Sequence, residues 1–156
     1  MKLLIKQRVF SWTDTYDIYD EAGMPKYYVK AEFLALGHQI HVYDRGGQEV
    51  GFISQKLFRL MPQFEIFAFG RSQGLIRKEF TFFRPKYHVE CRNWSVNGDV
   101  FGWDYDVLEQ NRTVAHISKE LFRWGDTYVI NFARPEDEIM VLLLVIAIDA
   151  ANCSNN

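Results

Sequence analysis

The segment that most restricts the fold of this chain is its last apolar run, Ile139-Met140-Val141-Leu142-Leu143-Leu144-Val145-Ile146-Ala147-Ile148. Wound as a helix at about 100° per residue, the run covers every face, and a helix apolar all round has to be buried in a core or a membrane. Pro135 suits a first helical position, and Glu136, Asp137 and Glu138 suit the positive end of the helix dipole. Val and Ile are weak helix formers, so a final strand competes. The acidic start and the length of the run favour a helix over residues 135–151. The run is about ten residues, whereas a membrane span needs about twenty. Asp149, Asn152, Ser154, Asn155 and Asn156 follow it rather than a basic cluster. The spacing therefore predicts a core helix of roughly 25 Å and no transmembrane segment.

From residue 3 to about 133 the chain reads as short strands. Turn signals recur at Glu21-Ala22-Gly23-Met24-Pro25, Arg45-Gly46-Gly47, Gly70-Arg71-Ser72-Gln73-Gly74, Asn97-Gly98-Asp99 and Gln110-Asn111-Arg112. Thirteen Phe, eight Tyr and four Trp bring the aromatic share to 16%, which favours pleated sheet. A hairpin is repeated: His41-Val42-Tyr43-Asp44 leads to Val50 through Arg59, and Asp106-Val107-Leu108-Glu109 leads to Val114 through Arg123. Tyr16 to Val29 is a fainter echo. A duplicated meander removes its edges by closing. The predicted architecture is mainly β, a closed antiparallel barrel of about twelve strands in two similar halves over residues 1–133. The helix 135–151 is threaded through it, and residues 1–156 form a single domain.

Net charge is −2, against the basic balance expected of a nucleic-acid binder. Cys91 and Cys153 form no C-x-x-C, and the apolar stretch in Met1 to Lys6 is too short for a secretory signal. A reducing cytoplasm is the expected compartment and a monomer the expected state. Asn93-Trp94-Ser95, Asn111-Arg112-Thr113 and Asn152-Cys153-Ser154 match the glycosylation pattern by chance.

Candidate chemistry is sparse. His38, His41, His88 and His116 have no metal-ligand spacing, and no metal or cofactor is expected. Cys91 reads as a buried structural thiol. Asp99, Asp104 and Asp106 read as turn and solvated-face residues rather than a carboxylate group for metal or acid–base work, and Trp12, Trp94, Trp103 and Trp124 as core or rim packing. The common nucleotide and hydrolase motifs are missing. One basic stretch stands out: Arg71, Arg77, Lys78, Arg84, Lys86 and Arg92 face only Glu79 and Glu90. Such clusters suit phosphate and anionic lipid surfaces. Charge pairing with the acidic segment 99–109 is the plainer reading.

Lys6-Gln7-Arg8-Val9-Phe10-Ser11, the hairpin Val42-Tyr43-Asp44…Gly47…Val50-Gly51-Phe52-Ile53, and Trp124-Gly125-Asp126-Thr127-Tyr128 leading into Pro135-Glu136-Asp137 resemble the LURP-one-related family over nearly the whole chain. The resemblance implies the tubby C-terminal-like fold, a twelve-stranded barrel around a C-terminal helix. It carries no catalytic residues. Its fold relatives include phosphoinositide-binding tubby domains and phospholipid scramblases. The chain lacks the scramblases' D-x-D-x-D-G calcium loop, and its helix is shorter. The expected function is non-enzymatic binding of an anionic lipid head group or phosphorylated ligand at the basic stretch. The alternatives are a structural or protein-interaction module, and an enzyme whose site assembles in space from Asp104, Asp106, His88 and Cys91.

Overall fold

A computed structural model describes residues 1–6, 15–34, 37–79, 86–122 and 125–153. Twelve strands precede one helix: β1 (Lys2–Ile5), β2 (Thr15–Asp20), β3 (Pro25–Leu34), β4 (Gly37–Asp44), β5 (Glu49–Gln55), β6 (Gln63–Ala68), β7 (Arg71–Glu79), β8 (Lys86–Cys91), β9 (Trp94–Asp99), β10 (Asp104–Glu109), β11 (Arg112–Phe122) and β12 (Gly125–Phe132). A short 3-10 turn, Pro135–Asp137, leads into α1 (Glu138–Cys153). The strands form one antiparallel sheet in the order β8-β7-β6-β5-β4-β3-β2-β1-β12-β11-β10-β9. Pairing of β1 with both β2 and β12 joins the first half to the second. β8 and β9, the two end strands, lie side by side across the turn Arg92-Asn93, though the described residues show no continuous ladder between them. The result is a nearly closed twelve-stranded barrel.

The strand period of two sorts side chains between inside and outside. On β6, Phe64 and Ile66 are fully buried while Gln63, Glu65 and Phe67 are half-buried on the outer wall. Four hairpins carry the same irregularity, a register shift just before the turn: at Ile18/Tyr19, Val42/Tyr43, Ile66/Phe67 and Val107/Leu108. Such bulges bend a strand and increase its twist, which helps a sheet to close. The first two also share a turn. Asp20 Oδ1 accepts from the N–H groups of Ala22 and Met24, both at 2.9 Å, and Asp44 Oδ1 from Gly46 and Gln48 at 2.9 and 3.0 Å. The duplication seen in the sequence is therefore a duplication of bulged hairpins. It is imperfect: β5 stops at Gln55, whereas β11 continues to Phe122. Phe58, aligned with Phe122 in the repeat, turns outward with φ of 59° and is 99% exposed.

The barrel is filled from within by α1, which lies nearest β5, β6 and β7. Every residue from Met140 to Ile148 is at most 3% exposed. The predicted helix is thus found where expected, with its first turn tightened to 3-10 and its α-helical part running to Cys153. The helix presses so close to β5 that a Cβ on Gly51 would lie 2.2 Å from Leu143 Cδ2. At its far end Tyr87 Oη donates to Asn152 Oδ1, and Asp149 is buried near Tyr16 and Tyr105. Burial first, and the Asp149 charge second, push both phenols well above their ordinary pKa. Trp94 and Trp103 are core residues, Trp103 lying 4.0 Å from the Tyr128 ring centre. Trp12 and Trp124 lie outside the described residues. His38, at the open end of β4, sits 4.6 Å from the Phe33 ring, and partial burial lowers its pKa from 6.5 to about 4.

Leu143→Asp is expected to prevent folding, since an unpartnered buried charge costs several kcal/mol against a total stability of about 5–15. A soluble variant with native circular dichroism would contradict the central helix. Gly51→Val is expected to lose about 1–3 kcal/mol through overpacking against Leu143, read from its urea midpoint. Stability should also decline as pH falls from about 6.5 toward 4.5. The unfolded chain takes a proton on His38 in that range, whereas the folded chain does so only near 4. Carboxylates held low by Lys30, Lys56 and Arg112 lose their contribution only below the ordinary glutamate value of 4.5. Urea midpoints taken stepwise across this window should slope less in His38→Leu.

Candidate functional site

The helix enters the barrel at the end where the hairpins turn at 21–24, 45–48, 69–70, 92–93 and 110–111. Its first four N–H groups need partners or compensating charge. The chain places acids there and then surrounds them. Asp137 is 5% exposed and lies between two guanidinium groups, Arg92 Nη1 at 3.4 Å and Arg112 Nη1 at 3.3 Å. Arg112 also grips Glu109, which holds that carboxyl below its usual range. Lys26 Nζ lies 2.8 Å from Glu138 Oε1, and Tyr27 Oη donates to Glu138 Oε2. Burial, and then this hydrogen bond, raise the Tyr27 phenol well above its ordinary pKa.

Beside this network is a cleft of about 590 Å³. Ile139 from the helix and Phe69 contribute apolar surface, and Arg71 and Gln73 on β7 and Arg92 in the turn after β8 contribute polar groups. Arg71 gets there through the turn Phe69-Gly70, which sets it opposite the inward-facing Ala68. Arg92 stands in a left-handed turn, φ of 51°, held by Asp137 and by a 5.5 Å approach to the Trp94 ring. Asp137, Glu138, Arg92 and Arg112 all have counter-ions. Arg71 has no ion pair among the described residues, and neither does Glu136 on the cleft's rim.

The six basic residues of the sequence stretch do not gather here. Arg71 and Arg92 share the cleft. Arg77 faces outward opposite His88, roughly 20 Å along β7 from Arg71. Lys78 shares the inner face of Ile76 near the opposite end, its ammonium 5.9 Å from the Phe101 ring centre. Lys86 is exposed there, opposite Glu79. Arg84 lies outside the described residues. Sequence reasoning missed Gln73 and the Lys26–Tyr27–Glu138 contact, and it read Glu136 as a helix-start acid without its place on the cleft rim. The acidic helix start was a signal that counter-ions must exist, but Lys26 lies 112 positions from Glu138.

The other candidates separate as well. Cys91 faces inward and is buried, which pushes its thiol up to about 11. His88 faces outward to Glu90 at 2.9 Å. Asp104 and Asp106 flank His116 on an exposed wall, at 3.6 and 2.8 Å, while Asp99 caps the Gly102 N–H at 3.0 Å. The acidic segment therefore pairs with His116 and Arg112 and not, among the described residues, with the basic stretch. No group of three or more His, Cys, Asp or Glu side chains able to hold a metal ion occurs among the described residues. None of the described helices is long and apolar enough to cross a membrane.

Comparison with known proteins agrees with this architecture. A solved X-ray structure of a protein from Arabidopsis thaliana superposes with a TM-score of 0.62 at 16% identity, covering 96% of this chain and 90% of that one. The uncharacterized protein YxjI of Bacillus subtilis (strain 168) is 30% identical over 149 residues, which are 96% of this chain and 92% of YxjI. The family model described as LURP-one-related matches residues 1–149. With a match of that extent, a twelve-stranded barrel and a buried C-terminal helix, the chain belongs to the LURP-one-related family.

Proposed function

We propose that this protein is a non-enzymatic binding domain that takes a phosphate-bearing group at the mouth where the helix enters. The observation that carries this reading is Arg71, a guanidinium with no ion pair among the described residues, on the wall of a cleft of about 590 Å³. Arginine offers a planar fork of donors that matches phosphate oxygens. Gln73 adds an amide beside it, and Ile139 and the exposed Phe69 give apolar surface to whatever the phosphate is attached to. The acids of the helix start do not cancel the site, because Asp137 and Glu138 are engaged by Arg92, Arg112 and Lys26. Glu136 on the rim opposes an anion, and the helix N-terminus behind it favours one. Arg77, Lys78 and Lys86 lie away from the cleft and supply at most long-range attraction, weakened by salt.

Lipid head groups and free phosphorylated molecules share this chemistry, and two arms of one experiment separate them. Co-sedimentation with vesicles containing phosphatidylserine or phosphoinositides, against neutral phosphatidylcholine vesicles, at low and high salt, tests the first. Calorimetric titration with soluble inositol phosphates tests the second. Arg71→Ala is expected to weaken binding about tenfold, the loss of one charge-assisted contact of roughly 1.5–3 kcal/mol partly offset by water. Glu136→Gln is expected to strengthen it. Binding in neither arm, or binding indifferent to both substitutions, would remove this reading.

A further inference from the structure

The outer wall of the first half carries a row of rings that the barrel does not need. Tyr28 on β3 pairs with Tyr43 on β4, His41 on β4 with Phe52 on β5, and Phe52 with Phe67 on β6. Ring centres along the row lie 6.3 Å apart for Tyr28–Tyr43, 6.1 Å for Tyr43–His41, 4.9 Å for His41–Phe52 and 5.6 Å for Phe52–Phe67. The inward residues beside them, Val29, Val42, Ile53 and Ile66, are fully buried and already fill the core. The duplicated half shows that the fold tolerates a different wall. Its ladder partners equivalent to His41 and Phe52 are Asp106 and His116, an exposed polar pair at 2.8 Å. The first half has rings where the second has charges.

A cleft of about 290 Å³ opens among these rings. Phe52 and Phe67 line it with aromatic carbon, Gly51 and Gly70 with main chain, and His41 and Glu49 with polar atoms. His41 Nδ1 lies 2.6 Å from Glu49 Oε1. The second imidazole nitrogen and Glu49 Oε2 have no hydrogen bond among the described residues, so one nitrogen and one carboxylate oxygen remain for a ligand. Arg71, next to Gly70, sits opposite the inward-facing Ala68 and lines the helix-entrance cleft instead, and the paired charges on this wall argue against an ionic occupant. Glu49 is held by His41, Lys30 by Glu32 at 2.9 Å and Lys56 by Glu65 at 2.8 Å. A wholly apolar occupant would strip water from the two polar atoms without replacing it. The size is at the lower end for ligand pockets and suits one ring.

We propose that this cleft binds a neutral hydroxylated ring, a single monosaccharide unit. Its hydroxyls bond Glu49 and His41, and its C–H faces lie against Phe52 and Phe67. This site is independent of the phosphate site at the helix entrance.

The test is an amide NMR titration of the full chain with D-glucose, D-galactose, D-mannose and N-acetylglucosamine, with glycerol as a control. At least one sugar is expected to give saturable shifts at residues 49–52 and 67–70, with a dissociation constant on the order of millimolar. Glu49→Gln, which keeps the side chain's shape, and Phe67→Leu are each expected to weaken that binding about tenfold, a loss of about 1.4 kcal/mol. Arg71→Ala should bind the sugar as the parent does. Dispersed spectra establish that each variant is folded, and Glu49→Gln decides the question if Phe67→Leu is not. Silence with all four sugars, an equal response to glycerol, or shifts unchanged in folded Glu49→Gln would overturn the proposal.

Discussion

A helix without a polar face stays out of water only if something encloses it completely, and the rest of this molecule follows from that requirement. Twelve strands supply the enclosure, and bulges in four hairpins help to curve it. The fit is close enough that Gly51 leaves its space to Leu143. The ends of the helix pose the remaining difficulty, because their main-chain groups cannot be left dry and unpaired. At the entrance the chain answers with carboxylates and then answers the carboxylates with Arg92, Arg112 and Lys26. The charged mouth is thus a consequence of burying the helix, and Arg71 is a cation on the cleft wall that has no ion pair among the described residues.

The architecture was legible because it rests on local and periodic signals. The length of the Ile139–Ile148 run chose core over membrane, Pro135 and its acids marked the start, and the repeated hairpin announced two similar halves. The site was less legible, for a specific reason. Arg71 and Arg77 are six positions apart and would share a face in an unbroken strand. The register shift at Ile66/Phe67 puts Arg71 opposite Ala68 inside the mouth, while Arg77 stays opposite Gln63 on the outer wall. One extra residue reverses the face of everything on one side of it. No composition count contains that information, so a stretch that reads as one basic patch becomes two residues in a cleft and others scattered beyond it.

The duplication also shows where the molecule has specialised. Both halves retain the bulge and the inward Val/Ile positions that enclose the helix. They differ on the outside, where His41 and Phe52 on one half correspond to Asp106 and His116 on the other. The two ends of the barrel differ too. Tight turns at the helix entrance fix Arg71, Gln73 and Arg92 on short tethers, and such pre-ordering limits the entropy lost when a ligand is held. The opposite end includes a longer connection, the segment 56–62 that carries the exposed Phe58 and Leu60.

The order of the elements along the chain has a consequence for how the molecule is made. The ribosome delivers all twelve strands before α1. At about 5–20 residues per second, a nascent chain spends many seconds with Val29, Ile40, Ile53, Ile66 and Ile117 facing an empty interior. Neither can β1 find β12 until the twelfth strand has been made. The helix that follows the strands is therefore the element that hides their apolar surface. A polypeptide interrupted a few residues short of α1 would display that surface to chaperones and proteases, so the exposure of the barrel's interior ends only when the helix has been made.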